Sequence, residues 1–424
     1  MTHRESRHRS QRSNESLAHH DGGGAGGPGG SARSSHRTPL RGAGEIALRG
    51  PAQLADALPY LLGFYPDDSI VVVALHGDRR RFGGRIRLGL PGDSGEWPAV
   101  SAQVAACLEE NVKSGGRRPE GAIVYLCQDP SGSESGREVM ERLRPLAQAL
   151  RTACGEREMP VYEALCLSGG SFWSYCCPDA ACCPAEGRPM AVPGTSAMAA
   201  AAAYAGIQVH GSLRELERRL AALGPKAAEV QERALDDASR LLVPRILAPS
   251  TRRAVEAETL VLAERLLTRF RTDVPAGKDI VTADTHDDRL MSHEEAALLI
   301  LGLQDRRTRD RAAEWMEGGD VGPALRLWRA LARRCVGPYT EHSAAPLTLA
   351  GWVAWSGGDE ATARVALDRA LRSDPEYSFA RLLHRAFNDG MDPELLRRCM
   401  RKEREARKAL KTQVPPQGAP RSAP

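Results

Sequence analysis

Apolar residues first fall into a helical rhythm at Leu54, Leu58, Leu61 and Leu62, and the rhythm stops at Gly63, placed to end a helix. Ile70–Leu75 is a near-continuous apolar run rich in β-branched residues, the pattern of a strand buried on both faces. Arg85–Leu90 alternates through Ile86, Leu88 and Leu90, so it reads as a half-exposed strand joined to the first through a turn at His76–Arg81. Trp97, Val100, Val104, Cys107, Leu108 and Val112 lay one apolar stripe along a helix. Gly121–Cys127 reads as a second buried strand, Val139, Leu143, Leu146 and Leu150 as a helix, and Val161–Leu167 as a third strand. Phe172–Cys176, after a Gly-containing turn at Ser168–Ser171, is its expected hairpin partner. Strand, helix and strand in that order over 121–167 imply a right-handed parallel crossover. Residues 45–190 therefore read as an α/β domain with a mixed sheet.

From residue 195 to 396 the pattern is helical throughout. Ser212 with Glu215, and Ser292 with Glu295, have capping-box spacing and place two helix starts. Pro225, Pro244, Pro249 and Pro275 are expected to separate shorter helices, and residues 274–289 read as a loop. Gly318-Gly319-Asp320 recurs 39 residues later as Gly357-Gly358-Asp359, and Ala324 recurs as Ala363. In the second copy Gly351, Gly358, Ala363, Leu367, Ala370 and Pro375 fall at tetratricopeptide-repeat spacing, where small residues let two helices approach. Trp315, Trp328, Trp352 and Trp355 lie at helical spacing in this stretch and read as core. The expected fold is thus an α/β N-terminal domain with a mixed sheet, followed by an all-α helical domain with tetratricopeptide-like hairpins at about 303–390.

Charge redraws the ends. The first 44 residues carry +4 and residues 397–424 carry +7, so residues 45–396 carry −7 of a formal net charge of +4. Residues 1–44, rich in Arg, His, Ser and then Gly, hold too few apolar side chains to offset ordering entropy and are expected to be disordered. Residues 397–424 read as a basic tail. Nucleic-acid association through Arg397–Lys411 is the sharper reading of that tail and solubility the plainer one. No apolar run approaches the ~18 residues of a membrane span, and the N-terminus has no apolar segment of a signal peptide. The ten cysteines are accordingly expected to be reduced, in a cytoplasmic protein without membrane contact.

Three stretches resemble a family: Pro59–Ser69 (PYLLGFYPDDS), Trp173–Gly187 (WSYCCPDAACCPAEG) and Ala345–Pro375. Together they make residues 45–390 similar to an actinomycete domain-of-unknown-function family, number 4192. The resemblance implies a soluble, cytoplasmic, two-part protein. It also implies a residue other than cysteine at position 176, which leaves Cys177, Cys182 and Cys183 as the metal set.

Three local groupings could carry chemistry. Cys176, Cys177, Cys182 and Cys183 lie within eight residues, and thiolates on either side of Pro178–Ala181 could share a structural zinc. Adjacent cysteines on an extended chain point opposite ways, so a second pair would have to come from Cys154 or Cys166. Buried thiols, a structural zinc and a redox pair all remain open. Asp67, Asp68 and Ser69 could bind a cation or supply a general base, or simply build a turn. The loop Gln128–Gly136 sits where open α/β sheets bind ligands, and Ser131, Ser133 and Ser135 could contact a phosphate, or the loop could be plain solvent-exposed chain. His293, next to a capping serine, reads as solvated. Two functions follow: an interaction or regulatory protein with a protein partner on the helical domain, or an enzyme or phosphate-type ligand binder using the crevice.

Overall fold

The chain is described here by a computed structural model covering residues 48, 50–77, 79–113, 118–277 and 279–413. The disorder expected for residues 1–44 falls outside these residues, as does the end of the tail beyond 413.

The helical rhythm at Leu54 forms α1 (Pro51–Leu62), which starts on proline and closes on Gly63 in the left-handed conformation. The apolar run forms β1 (Ser69–His76), followed by β2 (Arg81–Gly89), α2 (Trp97–Lys113), β3 (Gly121–Cys127), α3 (Gly136–Gly155), β4 (Val161–Ser168), β5 (Ser171–Ser174) and the short β6 (Arg188–Pro189). They build one six-stranded sheet in the order β2-β1-β3-β4-β5-β6. Only β3 and β4 pair in parallel, across the crossover through α3, and the other neighbours are antiparallel. The sheet is therefore mixed, as its strand patterns predict.

β1 and β3 are buried on both faces because each face has a cover. Ile70, Val72, Val124 and Leu126 pack with Leu108 of α2 and with Val139, Leu143 and Leu146 of α3. Val71, Val73, Ile123 and Tyr125 face the other way, toward Leu58 of α1 and a core that continues into the helical region. That region comprises α4 (Ala197–Tyr204), α5 (Leu213–Arg218), α6 (Pro225–Leu247), α7 (Pro249–Thr272), α8 (Ile280–Arg289), α9 (His293–Gly302), α10 (Arg306–Ala312), α11 (Val321–Arg333), α12 (Ala344–Ser356), α13 (Glu360–Ser373), α14 (Ser378–Asn388) and α15 (Pro393–Gln413). One apolar cluster runs from the sheet through Leu235 and Phe270 to Trp328 and Trp352. Among the described residues no helix is long and apolar enough to cross a membrane.

Both expected capping boxes form, at Ser212 with Glu215 and at Ser292 with Glu295. Two expectations are corrected. Residues 274–289 are not all loop, since α8 occupies Ile280–Arg289 with Asp279 capping it through the Thr282 amide at 2.7 Å. Its sequence shows no apolar stripe because it is held by charge: Asp284 pairs with Arg219 at 3.0 Å, Asp287 with Arg326 at 2.5 Å and Asp288 with Arg333 at 2.8 Å. Pro244 does not divide helices but lies inside α6, whereas Pro225 and Pro249 start α6 and α7.

Each Gly-Gly-Asp copy leads into a helix, α11 and α13, and Ala324 and Ala363 are both fully buried. The copies differ in what precedes them, since α10 has 7 residues and α12 has 13. Only the second makes a full helical hairpin, α12 with α13. A Cβ on Gly351 would stand 2.8 Å from the Leu367 side chain, so the approach of these helices requires glycine there. Trp328, Trp352 and Trp355 are buried in the core, and Trp315 packs against it, stacked on Trp328 at 5.9 Å.

The boundary drawn at 396/397 falls within α15. This helix sets Leu396 and Met400 against the core, and Arg401 and Arg404 reach Glu317 at 2.7 and 3.0 Å. Arg407 pairs with Glu314. Part of the tail's basic charge is thus neutralised within the fold. His293 is likewise not simply solvated: its Nδ1 lies 2.9 Å from Gln231 Oε1 and 3.3 Å from Arg334, and burial with that guanidinium lowers its pKa.

Candidate functional site

The cysteine loop grows out of the last strands of the sheet. Trp173 of β5 is buried on the α3 side and donates from Nε1 to the Ala185 carbonyl at 3.1 Å, fixing the far end of the loop. Gly187 is required beneath that ring: its φ is +83°, and a Cβ would lie 2.4 Å from Trp173. At the near end the Ser174 hydroxyl accepts from the amides of Cys176 at 3.1 Å and Cys177 at 2.8 Å while donating to Glu163 at 2.7 Å. Cys176 packs against the core between the sheet and α3, and Cys177 leaves it.

Asp179 then turns the chain back. Its carbonyl accepts from the amides of Cys182 at 3.1 Å and Cys183 at 2.7 Å, and its carboxylate accepts from the Ala181 amide at 2.9 Å. Because this segment is a turn and not an extended strand, Cys182 and Cys183 bring their sulfurs to one side. The sulfurs of Cys177, Cys182 and Cys183 all lie within 4.8 Å of one another, with Cys182 and Cys183 3.9 Å apart. Burial and the two neighbouring sulfurs push the Cys183 thiol up to about 12.

The second pair considered from sequence does not join them. Cys166 is fully buried on β4 and Cys154 within α3, where burial raises their thiols to about 12 and about 11. Among the described residues the cluster therefore has three sulfurs.

The sheet-edge residues are brought together only in part. A groove of about 660 Å³ is lined by Gln128, Ser131, Ser133, Glu134, Glu138 and Arg142. Ser135 is engaged as the N-cap of α3, in a capping box with Glu138. Asp67 accepts from the Arg214 amide at 2.9 Å, in the first turn of α5. Buried Ser69 donates to the Asp67 carbonyl at 2.5 Å and accepts from Arg87 at 3.3 Å.

Asp68 sits at φ 39°, in the left-handed region that costs a non-glycine residue on the order of 1 kcal/mol. Its carboxylate offsets that by binding Arg214 at 2.6 Å and Gln128 at 3.1 Å. Burial alone would raise this carboxyl, but the hydrogen bonds from Arg214 and Gln128 win and hold it below the usual aspartate range. Gln128 passes the contact on to Arg142 at 2.9 Å, and Arg142 is clamped by Glu134 at 2.9 Å. The turn is also stapled to the segment before α5, through the Tyr65 amide to the Gly211 carbonyl at 2.9 Å and the Leu213 amide to the Tyr65 carbonyl at 2.9 Å.

Asp179, Arg142 and Arg214 were not singled out from the sequence, and Gln128 entered only as the first residue of the candidate loop. Asp179, between a proline and small residues, carried the only local signal, that of a turn. Ser135→Ala should cost about 1 kcal/mol in chemical denaturation, the worth of an N-cap. An unchanged midpoint would mean that the hydroxyl does not stabilise α3.

A model of the family described as Domain of unknown function (DUF4192) matches residues 51–394, so the chain belongs to that family. No curated protein and no solved structure matches it.

Proposed function

We propose that this member of the DUF4192 family is a cytoplasmic, non-enzymatic interaction or regulatory protein, with tetratricopeptide-like hairpins at about 303–390 receiving a protein partner. One observation carries the reading: Asp67, Asp68 and Ser69, considered for a cation or a general base, and Ser135, considered for a phosphate, are already engaged in the fold. Asp67 holds the first turn of α5, Asp68 binds Arg214 and Gln128, Ser69 holds Asp67, and Ser135 caps α3. A general base needs a carboxylate or imidazole free to reach substrate. The hairpin side also offers apolar side chains to a partner, with Leu382 exposed on α14, Met391 between α14 and α15, and Leu395 at the start of α15.

The phosphate-type reading keeps one supporting observation, the groove beside Ser131 and Ser133. Its electrostatics oppose an anion, since Glu134 and Glu138 line it and its arginine is already paired. Nucleic-acid binding through α15 is weakened likewise, because Arg401, Arg404 and Arg407 pair with Glu317 and Glu314. The test is thermal unfolding of the full chain with inorganic phosphate and with ATP at millimolar concentration. No rise in midpoint is expected, whereas a rise of several degrees would replace the interaction reading with the ligand reading. In parallel, cross-links to a partner in cell extract should map to the hairpins at about 303–390 and the start of α15, and disappear in Leu382→Glu. Cross-links confined to the sheet would refute the assignment of the surface.

A further inference from the structure

We infer that Cys177, Cys182 and Cys183 form a three-thiolate site for one zinc ion, with the fourth position open to solvent. This goes beyond the interaction reading and does not depend on it. The geometry is close to what the ion needs. Tetrahedral zinc with Zn–S bonds of about 2.3 Å holds its ligand sulfurs about 3.8 Å apart. Cys182 and Cys183 stand 3.9 Å apart, and no pair in the trio exceeds 4.8 Å. Side-chain rotation of at most about 1 Å closes the set around the ion.

The backbone is already shaped for this. Asp179 holds the amides of Cys182 and Cys183, Ser174 holds that of Cys177, and Trp173 with Gly187 anchors the return limb. Ordering such a loop is the usual cost of a metal site, and here the Asp179 carbonyl and the Ser174 and Trp173 side chains, all outside the trio, meet it. The three sulfurs are half-buried at the rim and not sealed in the core, so an ion can enter. Cys176 lies outside the group of three sulfurs and packs against the core between the sheet and α3. Three thiolates around a dication leave one negative charge. Arg188 is tied to the same loop, donating to the Ala181 carbonyl at 3.2 Å. Three soft ligands in this arrangement select a thiophilic ion such as zinc over magnesium or calcium, which take oxygen.

The experiment is alkylation of the full, reduced chain, stripped of metal and then given zinc chloride, with each cysteine followed by peptide mass spectrometry. Zinc should slow alkylation of Cys177, Cys182 and Cys183 by roughly tenfold or more, because a ligated thiolate is no longer a free nucleophile. Cys107 and Cys399, which are exposed, should react at unchanged rates and report that the fold and the reagent are unaffected. Equal rates at the three cysteines with and without zinc would overturn the site. In a second measurement, dialysed wild-type protein and Cys176→Ser should each retain about one equivalent of zinc, and Cys182→Ser far less. Equal retention by Cys182→Ser would also overturn it. So would a disulfide among the three in air combined with no zinc capture by the reduced chain, which would assign a redox pair instead.

Discussion

Asp287→Ala is expected to destabilise the protein by about 3–5 kcal/mol, the loss that follows when one partner of a buried ion pair is removed. Asp287 is 1% exposed, and Arg326 reaches it through Nε at 2.9 Å and a terminal nitrogen at 2.5 Å. Arg326 also donates to the Phe270 carbonyl at 2.7 Å and the Asp273 carbonyl at 2.9 Å, so its position is fixed from several sides. Without the carboxylate the guanidinium would remain largely buried and uncompensated. The denaturant midpoint, with the slope held constant, measures the loss. The double change Asp287→Leu with Arg326→Met should recover most of it, since removing both charges together removes the unpaired one. Asp237 provides the contrast, because its pair with Arg240 is 71% and 74% exposed, and Asp237→Ala should change stability by less than about 1 kcal/mol. A similarly small loss for Asp287→Ala would mean that charge does not hold α8.

The second large effect is expected at Trp352. Its side chain is fully buried, its Nε1 donates to the Ala313 carbonyl at 2.9 Å, and Trp355 meets it edge-on at 5.9 Å. Trp352→Ala should cost about 3–5 kcal/mol through lost burial and the cavity left behind. Trp352→Phe keeps an apolar ring but leaves the Ala313 carbonyl without its donor, at a further ~1–3 kcal/mol. Trp328 is buried as deeply, yet its Nε1 has no hydrogen-bond partner. Trp328→Phe should therefore be the milder of the two Phe substitutions. Thermal or urea denaturation of the pair decides it, and the reverse order would mean that the Trp352 hydrogen bond contributes nothing.

These residues also mark where reading the sequence succeeds and fails. The four tryptophans of the repeat stretch, Trp315, Trp328, Trp352 and Trp355, read as core, because large aromatic residues on a helical period have few other places to go. Gly121–Cys127 reads as a buried strand and is one, since an apolar run of that length needs cover on both faces. The helix α8 was missed because Ile280–Arg289 has no apolar stripe. Its stability comes from Arg219, Arg326 and Arg333, whose nearness no local pattern reveals. The candidate sites divide the same way. The cysteines stood out by their spacing, but only Asp179 and the turn it makes show that Cys182 and Cys183 can face one point. Asp68 stood out as a turn residue, and its principal partner Arg214 lies 146 positions away.

By itself the sequence determined what is local: strand runs, the helix end at Gly63, the capping boxes at Ser212 and Ser292, and the glycine that lets α12 meet α13. Such features depend on dihedral preferences, on side chains reaching backbone a few residues away, and on a polar–apolar pattern that any fold must respect. The tertiary structure alone decided which charges meet, how α15 lies against Glu314 and Glu317, and how the sheet and the helices share a core. Those outcomes depend on the path of the chain between distant residues. A charged side chain carries no local mark of its partner, because Coulomb attraction depends on separation in space and not on separation along the chain.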